Sequence, residues 1–345
     1  MPHKLSSSHE GIGVSVLLRN WTLPSNESGP FATAASDQLK YLLFTAPRTL
    51  EGAISHRTNQ TQLWADFIYM APPFIAYYGA LQCGPGGDSL MWMAYEQVKL
   101  HREELFDKKV GLWRHTALGN GTDHKHWATG NAWAAAGALR VLATIQRSHA
   151  SKSIRSHQKD LMKWVGEILD GVWKFQVGVC LFHFAIMFRS FRCSSLPFQN
   201  SDATLQHKNG TLLNYIDDSD SFADSSSTAL LAATTFRFAS IAKNDTHIPA
   251  AIRALRLVRE SVDRHGWLHN TVNPLKISTP NRPGHHSPEG QSFVLLLEAA
   301  VSEWASSHKN YSSPRHEDNL NSSRKKNSSH GKHPAHGKHP SHKKR

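Results

Sequence analysis

Asp66 stands in the run Leu63-Trp64-Ala65-Asp66-Phe67-Ile68-Tyr69-Met70-Ala71-Pro72-Pro73-Phe74, a lone carboxylate among aromatic and apolar neighbours. Such a group is costly to bury unless something pairs with it or uses it. Apolar surroundings disfavour its charged form, so the sequence predicts a raised pKa and a residue able to hold a proton as a general acid. Trp64 and Tyr69 beside it offer ring faces against which a sugar could lie. The plainer alternative is a helix cap or a hydrogen-bond partner for Tyr69. Pro72-Pro73 should break or kink a helix, which puts Asp66 to Met70 near the end of an element.

A second group follows in Gly111-Leu112-Trp113-Arg114-His115, then Asp123, then Trp127-Ala128-Thr129-Gly130-Asn131-Ala132-Trp133. Singly, each tryptophan reads as packing. Together, Trp127 and Trp133 supply stacking faces, Arg114, His115 and Asn131 supply donors, and Asp123 supplies a second carboxylate. That inventory suits an anionic sugar such as a uronic acid. A third group, His285 and His286, precedes Ser287-Pro288-Glu289, a good capped helix start with proline at its first position. Two adjacent histidines without a third ligand are a poor metal site, and no metal or other cofactor is expected.

These groups need a scaffold, and the apolar spacing is helical from Ala32 onward. The spacing predicts helices over 32–44, 64–82, 88–105, 127–148, 157–176, 222–242, 248–263 and 288–305, and no stretch reads as a sheet. The loops 111–126 and 265–287 are long and carry Trp, His, Asp and Asn together, as functional loops on one rim of a helical scaffold would. Residues 1–31, rich in Ser, Gly and Asn, read as an irregular N-terminal segment. Residues 32–305 read as one all-α domain, interrupted at 177–207 by an apolar, cysteine-bearing segment foreign to the pattern. That run is too short for a membrane span, which takes ~20 apolar residues. Residues 306–345 read as a disordered His/Lys-rich tail with Gly-Lys-His-Pro repeated.

The formal charge of +12 over 345 residues suggests nucleic acid until it is located. The segment 306–345 holds ten Lys/Arg and two Asp/Glu, so it carries +8 and the remaining body only +4. No basic stripe is left, and nucleic acid is not an expected partner. Cys83, Cys180 and Cys193 have neither metal spacing nor a disulfide framework. Nine Asn-x-Ser/Thr sequons favour an extracellular chain, although Met1 to Gly13 lacks the apolar core of a signal peptide.

The frame LWADFIYMAPPF, the segment GLWRH, the motif WATGNAW and the stretch PEGQSFVLLL, in that order, resemble the unsaturated rhamnogalacturonyl hydrolases, glycoside hydrolase family 105. That family is related to the unsaturated glucuronyl hydrolases. The likeness covers about residues 33–176 and 209–305. It implies an (α/α)6 barrel of six helical hairpins, monomeric or homodimeric, with no required metal. It also implies removal of an unsaturated uronyl residue from pectin-derived oligosaccharides: an acid protonates C4 of the 4,5 double bond, water adds at C5, and the hemiketal opens. Asp66 falls on the family's first functional aspartate. Leu118 occupies the place of its second, and Thr129 that of an arginine, so Asp123 is the available replacement. Another six-hairpin glycosidase acting on unsaturated glucuronyl oligosaccharides is the nearest enzyme alternative. A catalytically inactive carbohydrate-binding homologue is the rival that Leu118 raises.

Overall fold

In a computed structural model the described residues are 10–82, 84–176 and 210–308. Helices α1 (Glu10–Thr22), α2 (Ser25–Phe44), α3 (Phe67–Leu81), α4 (Pro85–Leu105), α5 (Ala128–Arg147), α6 (Arg155–Lys174), α7 (Ser225–Ala242), α8 (Ile248–Glu260) and α9 (Pro288–Ser307) account for most of them. Helices α1, α3, α5, α7 and α9 pack on one another in chain order, and α2, α4, α6 and α8 each cover the helix before them. The result is an inner row of helices lining a lumen and an outer row facing solvent.

Composition decides which helix goes where. Helix α5 is buried on nearly every side, and so is α7. Both are rich in small residues, Ala and Gly in α5 and Ala, Ser and Thr in α7, which allow close approach all round, as a helix without a solvent face requires. Helices α6 and α8 bury a single stripe, Leu161, Val165, Ile168, Leu169 and Val172 in the first, and Ala251, Ala254, Leu255 and Val258 in the second. Helix α9 does not pack closely on α1, so the ring is open on that side among the described residues.

The irregular N-terminal segment expected over 1–31 is not what residues 10–31 form. They are helical from Glu10, with only a short break before Ser25. Val14 and Leu17 are buried at helical spacing, and Gly13 lets the ring of Phe74 come so close that a Cβ would stand 2.7 Å from it. Exposed Ile12, Leu18 and Trp21 on the outward face blur the period of that stripe. The last helix also runs to Ser307, past the expected end at 305. The expected insert at 177–207, and the tail from 309 onward, lie outside the described residues. The residues flanking that segment are neighbours, since the side-chain amide of Gln176 donates to the Gly210 carbonyl at 2.7 Å.

Pro72-Pro73 does not break α3, contrary to the expectation from sequence; both prolines lie buried within one continuous helix. Pro72 removes the amide that would serve the Ile68 carbonyl. That carbonyl faces Gly137 of α5, where an added Cβ would stand only 2.1 Å from the oxygen. The freed acceptor thus lies against a backbone Cα–H of the neighbouring helix, a weak but favourable contact. Gly137→Ala should separate α3 from α5 and lose at least the ~1–3 kcal/mol of ordinary overpacking, because the obstacle is backbone and cannot rotate away. Thermal unfolding measures this; an unchanged Tm would show that α3 can shift freely.

Candidate active site

Three short antiparallel ladders form the rim: β1 (Leu63–Trp64) with β4 (Thr116–Ala117), β2 (Phe106–Asp107) with β3 (Leu112–Trp113), and β5 (Leu212–Leu213) with β6 (Ala223–Asp224). They stitch separate loops into one surface. The Ala65 amide donates to His115 O at 2.9 Å, the Thr116 amide to Asp123 O at 2.9 Å, and the Ala128 amide to Asn214 O at 2.8 Å. Asp66, Trp127, Asp224 and Ser287 are the residues preceding α3, α5, α7 and α9, so four inner helices begin at this rim. Their amide ends make the surroundings favourable to negative charge.

At the centre is a chain of three ionisable side chains and a phenol. His115, almost wholly buried, has Nε2 3.5 Å from Asp66 Oδ2 and Nδ1 3.2 Å from Asp123 Oδ2. The Tyr215 hydroxyl donates to the same Asp123 oxygen at 3.0 Å. Burial pulls the imidazole pKa down, but the hydrogen bonds and charges of Asp123 and Asp66 outweigh it and raise His115 to about 9. Asp66 moves the other way from the sequence expectation. Burial does push its pKa up, yet the bond to and the charge of His115 pull harder, and the net shift is downward. At neutral pH, then, Asp66 is a carboxylate facing an imidazolium. Asp66 Oδ2 and His115 Nε2 are both buried, and their 3.5 Å contact is a long one for which neither atom has an alternative partner among the described residues.

Rings enclose this chain. Trp64 stands edge-on to His115 with centroids 5.1 Å apart, and Trp127 tilts over it at 4.7 Å. The Trp127 indole N–H is fixed by Asn214 Oδ1 at 2.9 Å. Tyr69 and Trp133 touch at 4.4 Å, and Phe293 meets Trp133 at 4.8 Å. Asp66, His115, Asp123, Trp64 and Trp127 are therefore brought together, while Trp133 contacts Tyr69, one helical turn after Asp66 on α3.

Other candidates are used elsewhere. Arg114 points away from His115, as an adjacent residue of an extended segment must, and its guanidinium binds Asp107 at 2.9 Å. Asn131 is fully buried, with its amide oxygen accepting from Trp113 N at 2.8 Å and its amide nitrogen donating to Trp113 O and Trp127 O. It holds the loop to the helix and has no group left for a ligand in this arrangement. His286 stacks on Trp267 at 4.3 Å and meets His269 edge-on, while His285 is exposed. His286 thus belongs to a ring cluster with Trp267 and His269 at the start of α9. Leu118 has φ 63 and is 40% exposed. Thr129 directs its hydroxyl at Asp224 Oδ2, 3.4 Å away.

Four neighbours were not singled out by sequence reasoning. Tyr215 lies in an Asn-Tyr-Ile-Asp-Asp turn with no motif to mark it. His56 stacks on Trp64 at 4.5 Å and is held neutral, its pKa lowered to about 4 mainly by burial. Arg57 lies over the Trp64 ring at 5.4 Å, with a buried Nε that has no hydrogen-bond partner among the described residues. Glu289 is raised above the ordinary carboxylate range, first by lost hydration and then by the charges of Asp66 and Asp224, although its side chain still reaches solvent. Only Glu289 had a visible signal, since its Ser-Pro-Glu start fixes it at the first turn of α9. Asp224 itself is structural: Ser226 N, Ser227 N and Val272 N all donate to its buried carboxylate. Among the described residues no group of three or more His, Cys, Asp or Glu is arranged to hold a metal, and no helix is long and apolar enough to cross a membrane.

The family model described as Glycosyl Hydrolase Family 88 matches residues 14–183, which include Asp66, His115 and Asp123. Unsaturated rhamnogalacturonyl hydrolase YesR of Bacillus subtilis (strain 168) is 26% identical over 157 residues, 41% of this chain and 44% of that protein. A structure from Salmonella enterica serovar Paratyphi A, described as a possible member of the GH105 family, superposes with a TM-score of 0.68 at 18% identity, covering 88% of this chain and 73% of that one. Just under half of the chain, including Asp66, His115 and Asp123, thus matches the family 88 glycosyl hydrolases, and its similarity extends to family 105. Unsaturated glucuronyl hydrolase from Bacillus sp. GL1 shares the fold at a TM-score of 0.56 and 15% identity, over 85% of this chain and 74% of that one. The described helices are thus those of the six-hairpin (α/α)6 toroid. The match to the curated relative spans less than half of that relative's length.

Proposed function

We propose that the chain is a glycosidase that removes an unsaturated uronyl residue from pectin-derived rhamnogalacturonan oligosaccharides. The observation that carries this reading is the Asp66–His115–Asp123 chain, one carboxylate 14% exposed among aromatic rings and the other holding the imidazolium from behind. An anionic substrate entering beside Asp66 disfavours its charge and raises its pKa. The proton on His115 Nε2 then passes to Asp66 and on to C4 of the vinyl ether. Water adds at C5, the carboxylate of Asp66 takes the proton that water gives up, and the hemiketal opens to release the remaining sugar. Arg57, with its unpartnered Nε beside Trp64, is the group suited to the uronyl carboxylate. An extracellular setting, supported by the nine sequons, belongs to the same proposal.

The reaction destroys a conjugated double bond, so the ultraviolet absorbance of lyase-generated oligosaccharides should fall as product forms. Rhamnogalacturonan fragments should be consumed faster than glucuronyl ones. Preference for the glucuronyl substrate would move the assignment to the related glucuronyl hydrolases. Binding of the oligosaccharides with no absorbance change would identify an inactive carbohydrate-binding member, the reading that Leu118 and Thr129 favour.

A further inference from the structure

Below the rim the lumen holds a second cavity. Tyr69, Trp133 and Phe293 form a layer of touching rings across it, and beyond them lies a space of about 210 Å³ bounded by α3, α5, α7 and α9. Trp133, Arg140 and Arg147 follow one another at seven-residue steps down the same face of α5, each step descending roughly 10 Å from the rim. Arg140 and Arg147 line the space together with Arg237, and Glu303 is the single carboxylate among the lining groups. Arg237 stands 3.9 Å from Glu303, and among the described residues Arg147 bonds only the Ala143 carbonyl of its own helix, at 3.4 Å. Arg140 lies over the faces of Tyr69 and Tyr77, at 4.5 and 5.4 Å, and has no carboxylate partner among the described residues.

Three guanidinium groups against one carboxylate leave an excess of positive charge around the space, and although Arg147 is exposed and Arg237 partly so, that excess draws an anion toward it. Arginine offers planar paired donors for a carboxylate, and tyrosine faces suit the body of a ring. The volume falls below the ~300–1,000 Å³ of pockets for drug-sized ligands, so it fits a single ring. We propose that this cavity is a second binding site, separate from the Asp66 site, for a small sugar acid: one carboxylate on one polar ring. The proposal does not depend on the reaction assigned to the rim.

Isothermal titration of the full chain with galacturonate, galactose and inorganic phosphate tests it. Galacturonate should bind and galactose should not. Arg140→Met should weaken that binding by at least tenfold, and Arg147→Gln, at an exposed position where folding is not at risk, by several fold. Asp66→Asn should leave it intact. Unchanged affinity in both arginine variants, no binding to the unmutated chain, or loss in Asp66→Asn alone would each overturn the second site. Phosphate binding in place of galacturonate would overturn its assignment to a sugar acid.

Discussion

Asp66→Asn is expected to lower kcat on unsaturated uronyl oligosaccharides by roughly 10²–10⁴-fold, the span that a positioned general acid contributes. The substitution keeps the shape at the start of α3 and removes the carboxylate that reaches both the ring-lined space and His115 Nε2. Asp123→Asn tests a different link. Asp123 sits on the far nitrogen of the imidazole and also accepts from Tyr215, so it acts through His115. Its loss should lower the His115 pKa and shift the alkaline limb of the rate profile toward neutrality, with a smaller drop at mildly acid pH. Equal losses at every pH in both variants would instead mean that Asp123 itself touches the reacting atoms. Full activity in Asp66→Asn would remove the proposed mechanism.

The helices are legible because burial leaves a period in the sequence, and every described helix from α2 to α9 coincides with a predicted one, the widest error being the early start of α2. Helix α1 is hidden because its buried stripe is narrow, Val14 and Leu17, and the exposed Ile12, Leu18 and Trp21 blur its period. The prolines of α3 mislead for a different reason: the cost of a missing amide is set by what lies opposite, and Gly137 lies opposite. In the site, Asp66, His115 and Asp123 are visible because unusual residue types share short segments. The direction of the Asp66 shift is not, since the sequence shows that a carboxylate is buried but not that an imidazole stands 3.5 Å away. Asn131 and Arg114 are candidates by type, and only their partners show that one is committed to the Trp113 backbone and the other to Asp107. Arg57 and Tyr215 reach the site through tertiary packing that no local pattern records.

The stability that His115 provides should vanish between pH 6.5 and about 9. Its folded-state pKa is raised from 6.5 to about 9, so its favourable pairing is fully present below 6.5 and is lost as pH rises through the folded value. Asp66 and Asp123 are both lowered, so their contributions are present above the ordinary carboxylate range and lost as pH falls below it. The three groups therefore support one another most strongly in mildly acid solution. There, His115→Gln should reduce the free energy of unfolding by a few kcal/mol. Each tenfold change in proton affinity between the folded and unfolded chain is worth ~1.4 kcal/mol, and the substitution leaves two carboxylates facing no cation. By pH 9 the difference between His115→Gln and the unmutated chain should largely disappear. Denaturant titrations across this range, with the His115 ring followed by NMR, check both halves of the expectation. A ring titrating near 6.5, or a stability difference that stays flat from neutrality to pH 9, would show that the imidazolium is not held as the geometry implies, and the proton supply to Asp66 would need another source.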